Sequence, residues 1–139
     1  MRIFILEDEV VRHNFFRETM PEHELFIYDN IYEAFNFLQE SHENGQWFDL
    51  MMFDNDLGLQ RRGQGYQLAD MLEKSVYNEE LPRTEYLIVH SQNASAQDLI
   101  TTAAKRFAEN IVRYPYSNMK DDMDSFKKFI YTISLQGVS

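Results

Sequence analysis

Residues 49–58, DLMMFDNDLG, form an apolar run that stops on Asp54 and Asp56 with Asn55 between them. A second acidic stop, Glu7, Asp8 and Glu9, follows the apolar run RIFIL near the start. Burying one ionised carboxylate without a partner is costly. These groups therefore either reach solvent at strand tips or surround something cationic. If the two runs are neighbouring strands, Glu7, Asp8 and Asp54 converge, and carboxylates that close raise one another's pKa unless a divalent cation neutralises them. Oxygen donors in a chain with no cysteine favour a hard ion, Mg²⁺ or Mn²⁺, held by a few carboxylates and several waters. Glu7, Asp8 and Asp54 are the candidate metal ligands.

His90 and Ser91 close another apolar run, EYLIVHS, with Asn93 just beyond. Carboxylates nearby favour the charged form of a histidine, and in that setting His90 can serve as general acid or base on a phosphodiester. The alternative is a hydrogen-bonded structural or ligand-binding residue. His90, Asp54 and Asp56 are the candidate catalytic residues. Ser91 and Asn93 can donate hydrogen bonds to phosphate, or cap the helix that follows. Residues 59–65, LQRRGQG, put Arg61 and Arg62 in a Gly-rich loop beside the acids. Arginine suits bidentate phosphate binding and such a loop can close on a substrate, although a solvated loop also needs charge. Alternation should turn Arg113 away from whatever Tyr114 faces. His13, His23 and His42 lack metal spacing and are expected at the surface; Phe15, Phe35, Phe37 and Trp47 are expected mostly in the core.

Five β-rich runs carry these residues: RIFIL, ELFIY, FDLMMFD, EYLIVHS and IVRYPY. Each precedes a helical pattern. In the first helix Val10, Val11, Asn14, Phe15 and Thr19 form no clean stripe, although the apolar members cluster. Asp29 or Asn30 is the N-cap of the second, where Ile31, Ala34, Phe35 and Leu38 recur at helical spacing and Gly45 supplies the stop. Leu68, Met71 and Leu72 face inward from a third helix. Residues 95–110 read as a fourth, opened by Ser95, and Phe126, Phe129, Ile130 and Ile133 line one face of the last. Alternating strand and helix implies a flavodoxin-like, doubly wound α/β domain, a five-stranded parallel sheet with helices on both faces and a ligand site beyond the carboxyl ends of the strands.

The bulk numbers agree. The chain's 139 residues suit a single domain over 1–139, and a hydrophobic fraction of 44% sustains a core. No apolar stretch has membrane-spanning length, and the start turns acidic too soon for a secretory signal, so a cytoplasmic location is expected. A formal charge of −10 repels nucleic acid phosphate and lacks the basic footprint of a bulk nucleic-acid binder.

The motifs FILEDE, MMFDNDLG, GYQLADML from Gly65, and VRYPY resemble, in order and spacing, a response-regulator receiver domain over nearly the whole chain. That resemblance implies that Glu7 and Asp8 are the metal-binding pair, Asp54 the phosphoacceptor position and the Asp56 backbone carbonyl a further ligand. Receivers have Thr or Ser where this chain has His90, and Lys where it has Tyr114. FDNDLG and IVHSQNASAQDL are more similar to the cyclic-phosphate processing receiver family, whose fourth strand ends in His-Ser-x-Asn (here His90, Ser91, Gln92 and Asn93). In that family a proline–aromatic pair follows the fifth strand (here Pro115 and Tyr116). The family often has His where Asn55 stands and Pro where Ala94 stands.

Membership would imply the processing of cyclic phosphates in RNA repair. Three readings follow. The first is a Mg²⁺- or Mn²⁺-dependent phosphoesterase acting on a phosphate-containing small molecule or RNA end. The second is an inactive module docking on a protein partner through about residues 84 to 116. The third is an ordinary phosphorelay receiver, which lacks its lysine here.

Overall fold

The computed structural model describes residues 1–77 and 83–136. Its elements run β1 (Arg2–Leu6), α1 (Val10–Thr19), β2 (Glu24–Tyr28), α2 (Ile31–Glu43), β3 (Leu50–Phe53), α3 (Gly65–Tyr77), β4 (Thr84–Val89), α4 (Ala94–Ala104), β5 (Ala108–Arg113), α5 (Tyr116–Asp121) and α6 (Met123–Gln136). The five strands are parallel in the order β2-β1-β3-β4-β5, the doubly wound arrangement that the alternating pattern predicts. No helix among the described residues is long and apolar enough to cross a membrane.

Side-chain alternation divides the core between the two faces of this sheet. Phe4, Leu6, Met51, Phe53, Leu87 and Val89 face one way, against residues of α2, α3 and α4. Ile3, Ile5, Leu50, Met52 and Ile88 face the other, against Phe15 and Phe16 of α1, Tyr116 and Met119 of α5, and Phe126, Ile130 and Ile133 of α6. The register then fixes the site: Leu6 lies opposite Phe53, and Phe53 opposite Val89. One residue further on, Glu7, Asp54 and His90 end three adjacent strands at one level. Continued alternation sends all three toward the α1, α5 and α6 side.

Several local expectations are corrected. Val10 and Val11 are exposed, while α1 buries Phe15 and Thr19 together with Phe16. Asn93, not Ser95, caps α4, accepting from the Ala96 amide at 3.1 Å. The fourth helix ends at Ala104, and β5 begins at Ala108, because Phe107 and Ala108 are buried in the core. The segment after Pro115 is a short helix and not the end of a strand. Trp47 is 62% exposed, and the adjacent Phe48 takes the core position. His13 and His23 are half-buried, bound to the Glu7 carbonyl and to the terminal amine respectively. Asn30 is the cap of α2, receiving the Tyr32 and Glu33 amides.

Gly65, the first residue of α3, shows how tightly the third strand end is held. A Cβ there would lie 2.0 Å from the Asp54 carbonyl oxygen, so only glycine lets the helix start against the strand. Gly65→Ala is therefore expected to cost about 3 kcal/mol in urea unfolding. Gly45→Ala, strained only by its positive φ of 71° with nothing within 4 Å, should cost about 1 kcal/mol.

Candidate active site

Glu7 is fully buried, and each of its lone pairs has a donor. Its Oε1 accepts from His90 Nε2 at 2.9 Å and Arg12 Nη1 at 3.3 Å; its Oε2 accepts from the Asp8 and Glu9 amides at 3.0 and 3.2 Å. Burial alone would raise its pKa, but the hydrogen bond and charge of His90, with backbone and Arg12 support, pull it down to about 2.

His90 is equally buried, its ring edge-on to Phe16 at a centroid distance of 5.5 Å. Its Nδ1 has no hydrogen-bond partner among the described residues. An ionised carboxylate only accepts, so the ring meets Glu7 through a proton on Nε2, which it donates to Oε1.

Arg12, from the first turns of α1, joins the buried pair to the surface. Its Nη1 lies 3.7 Å from Asp54 Oδ2, its Nε 3.0 Å from Glu9, and its guanidinium 4.4 Å from the centre of the Tyr116 ring. Burial works against this charge, yet Glu7, Asp54 and Glu9 outweigh it and raise the pKa further. Asp54 is less well neutralised. Burial, with the charge of Glu7, pushes it up to about 6 against the opposing pull of His90 and Arg12. Asp8 is also raised, by burial and then by Glu7, and its carboxylate looks toward Arg62 at 3.8 Å.

Above these groups lies a cavity of about 370 Å³ lined by Glu9, Arg12, Asp54, Asp56, Gln92 and Asn93. His90 does not line it; Asp54 does. Among the described residues, Glu7, Asp54 and His90 are the one trio of acidic or histidine side chains whose donor atoms lie within 4.8 Å of one another. Asp8 is not a member of that group.

The other sequence candidates divide. Arg62 is tied to the Leu57 carbonyl at 3.0 Å and paired with Asp8 and Asp29, whereas Arg61 is exposed. Ser91 is buried, its hydroxyl receiving the Asn93 amide. Asn55 accepts from the Tyr66 amide at 3.0 Å and so caps α3. Arg113 pairs with Asp98, while Tyr114 packs on Phe126 and Phe129, the divergence that alternation predicts. Among the described residues of 84–116, Leu99 is the only exposed large hydrophobic side chain. Sequence reasoning overlooked Arg12 because it reads as a surface partner of Glu9. The one signal for it was a lone cation one turn after an acidic strand end.

Residues 1–106 match the family described as the cyclic-phosphate processing Receiver domain. No curated protein matches. Among solved structures, the chain is similar to the Mn²⁺-bound form of response regulator Rcp1, with 17% identity over 95% of this chain and 90% of that one and a TM-score of 0.59. It is also similar to response regulator TrrA from Thermotoga maritima in complex with Mg²⁺-BeF, with 18% identity over 95% and 97% and a TM-score of 0.59. A signal receiver domain of a Luxo repressor protein from Vibrio parahaemolyticus gives 15% identity over 99% and 95% and a TM-score of 0.60. These likenesses establish the fold.

Glu7 and Asp54 give opposite pH dependences in metal-free buffer. Asp54 has a folded pKa of about 6 against an ordinary 3.8, so between those values the folded state binds the extra proton. Stability should rise as pH falls from 7 toward 4.5, and Asp54→Asn should diminish the rise, the part that Asp8 contributes remaining. Glu7, lowered from 4.5 to about 2, stabilises the fold above 4.5 and loses that contribution below it. Urea unfolding with EDTA at pH 7, 4.5 and 3 should therefore show a maximum at the middle value; a monotonic fall from pH 7 contradicts the assignment of Asp54.

Proposed function

This chain belongs to the cyclic-phosphate processing receiver domain family, and from that premise we propose that it is a divalent-metal-dependent phosphoesterase acting on a cyclic or terminal phosphate of a nucleotide or RNA end. The observation that carries this reading is an under-neutralised Asp54 beside the Arg12 guanidinium on the wall of one cavity. Acid and cation together suit a phosphoryl group, which needs positive charge at its oxygens and a carboxylate or metal to manage water.

Asp54 and Asp8 are the strand-end acids raised from their ordinary values, so a cation gains most there, whereas the lone pairs of Glu7 are all in use. Asp54 and Asp8, with the Asp56 carbonyl, would hold Mg²⁺ or Mn²⁺, an all-oxygen set of the kind these ions take. Such an ion, when bound, polarises a phosphoryl oxygen and acidifies water. Arg12 supplies N–H donors to the other phosphoryl oxygens. Asn93 and Gln92 spend their carbonyl oxygens on the Ala96 and Ser117 amides, which leaves their NH₂ groups for an anion.

With a 2′,3′-cyclic phosphate, the oxygen of water bonds to phosphorus and the P–O2′ bond breaks. Asp56, exposed at the cavity, takes the proton of that water and returns it to the leaving oxygen. His90 acts one layer down as a positioning residue: it holds Glu7, and Glu7 holds Arg12.

Mn²⁺ at a hundredfold excess over its Kd should stabilise the protein by about 2.7 kcal/mol. In a thermal scan this is an upward shift of several degrees, absent in Asp54→Ala. With Mn²⁺ present, a 2′,3′-cyclic nucleotide should be converted to a phosphomonoester, and Arg12→Ala should lower kcat/KM about 100-fold. A folded, Mn²⁺-stabilised wild type that leaves the cyclic nucleotide intact contradicts the proposal.

A further inference from the structure

We propose that a second, nearly neutral cavity next to the acidic site holds the nucleoside of a mononucleotide whose phosphate lies at Asp54; this rests on the phosphoesterase reading above. The cavity measures about 600 Å³, and among its lining residues are Tyr32, Leu59, Gln60, Gln64, Gln67 and Asp56. That volume lies in the range of about 300–1,000 Å³ typical of small-molecule sites. Asp56 also lines the smaller cavity that contains Asp54 and Arg12, so one ligand can span both.

The lining fits a planar, uncharged heterocycle. Tyr32 and Leu59 are 54% and 44% exposed and leave a ring face and an apolar side chain without cover. Such a ring offers a nucleobase a face to stack on. No hydrogen bond within the described chain engages the side-chain amides of Gln60 and Gln64, while Gln67 commits its carbonyl oxygen to the Gln64 amide at 2.8 Å. A primary amide pairs a donor with an acceptor, which is the complement of a base edge. Asp56 is the one charged lining residue, so the cavity has nothing to attract a phosphate.

The loop is shaped for this. Gly58 and Gly63 take positive φ values of 80° and 73°, and a Cβ on Gly63 would lie 2.4 Å from Ile31 Cδ1. That close approach sets the glutamines beside the start of α2, where Tyr32 follows Ile31. A net charge of −10 adds repulsion for every further backbone phosphate, which selects a mononucleotide over a polynucleotide.

The test titrates ¹⁵N-labelled protein with adenosine, which has no phosphate to bring it to Asp54. The side-chain NH₂ signals of Gln60, Gln64 and Gln67 should shift together, and Tyr32→Ala should weaken the Kd about tenfold, with Tyr32→Phe restoring it. Absence of those shifts, or a Kd unchanged in Tyr32→Ala, overturns the proposal. Turnover then separates it from the reading beneath. Adenosine binding without hydrolysis of adenosine 2′,3′-cyclic phosphate keeps the nucleoside site and removes the phosphoesterase. Equal kcat/KM for that nucleotide and for a base-free cyclic phosphate does the reverse. An oligonucleotide with a cyclic end that binds more tightly than the mononucleotide contradicts the choice of ligand.

Discussion

The buried pair between Glu7 and His90 is the constraint around which the strand ends are arranged. An ionised carboxylate with no access to water is tolerable only when its lone pairs are all met. Glu7 meets that condition with two backbone amides, one imidazole and one guanidinium. Its partner comes from two strands away, since β3 lies between β1 and β4, so His90 reaches across the level of Asp54 to make the bond. The sheet register that makes this possible also fixes Asp54 between them. Arg12 is then held from below by Glu7 and from the side by the Tyr116 ring, and faces the cavity with its remaining donors.

This arrangement explains the departures from the receiver pattern as one change. A receiver needs a hydroxyl after its fourth strand and a lysine after its fifth to contact an aspartyl phosphate. In this chain the first of those positions is His90, turned inward to Glu7, and the second is Tyr114, packed on Phe126 and Phe129 of α6. Both have become internal contacts. The positive charge that faces Asp54 comes instead from α1, through Arg12. Asn55 likewise serves the fold, as the cap of α3 that keeps the third strand end and its helix in register with Gly65.

What was legible in the sequence is what local pattern determines. Five β-rich runs alternating with helical stripes gave the parallel sheet and placed Glu7, Asp54 and His90 at strand ends. The boundary between α4 and β5 was misread because Ala103, Ala104, Lys105 and Arg106 are good helix formers, while the burial that decides for the strand at Phe107 and Ala108 is a tertiary matter. Trp47 and Phe48 are adjacent aromatics, and only the packing of Phe48 against Phe4 and Phe26 says which one enters the core. Arg12 escaped for a related reason: no periodicity distinguishes a cation that pairs along its own helix from one that reaches a carboxylate on a neighbouring strand.

The Glu7–His90 pair can be read directly from the proton on the His90 ring. A long-range ¹H–¹⁵N correlation spectrum reports which ring nitrogen carries it. The buried pair requires a proton on Nε2, protected from exchange with water, and the loss of that protection in Glu7→Gln. An Nε2 without a proton, or an Nε2 proton that exchanges freely, would mean that His90 does not hold Glu7, and the positioning of Arg12 over Asp54 would need another cause.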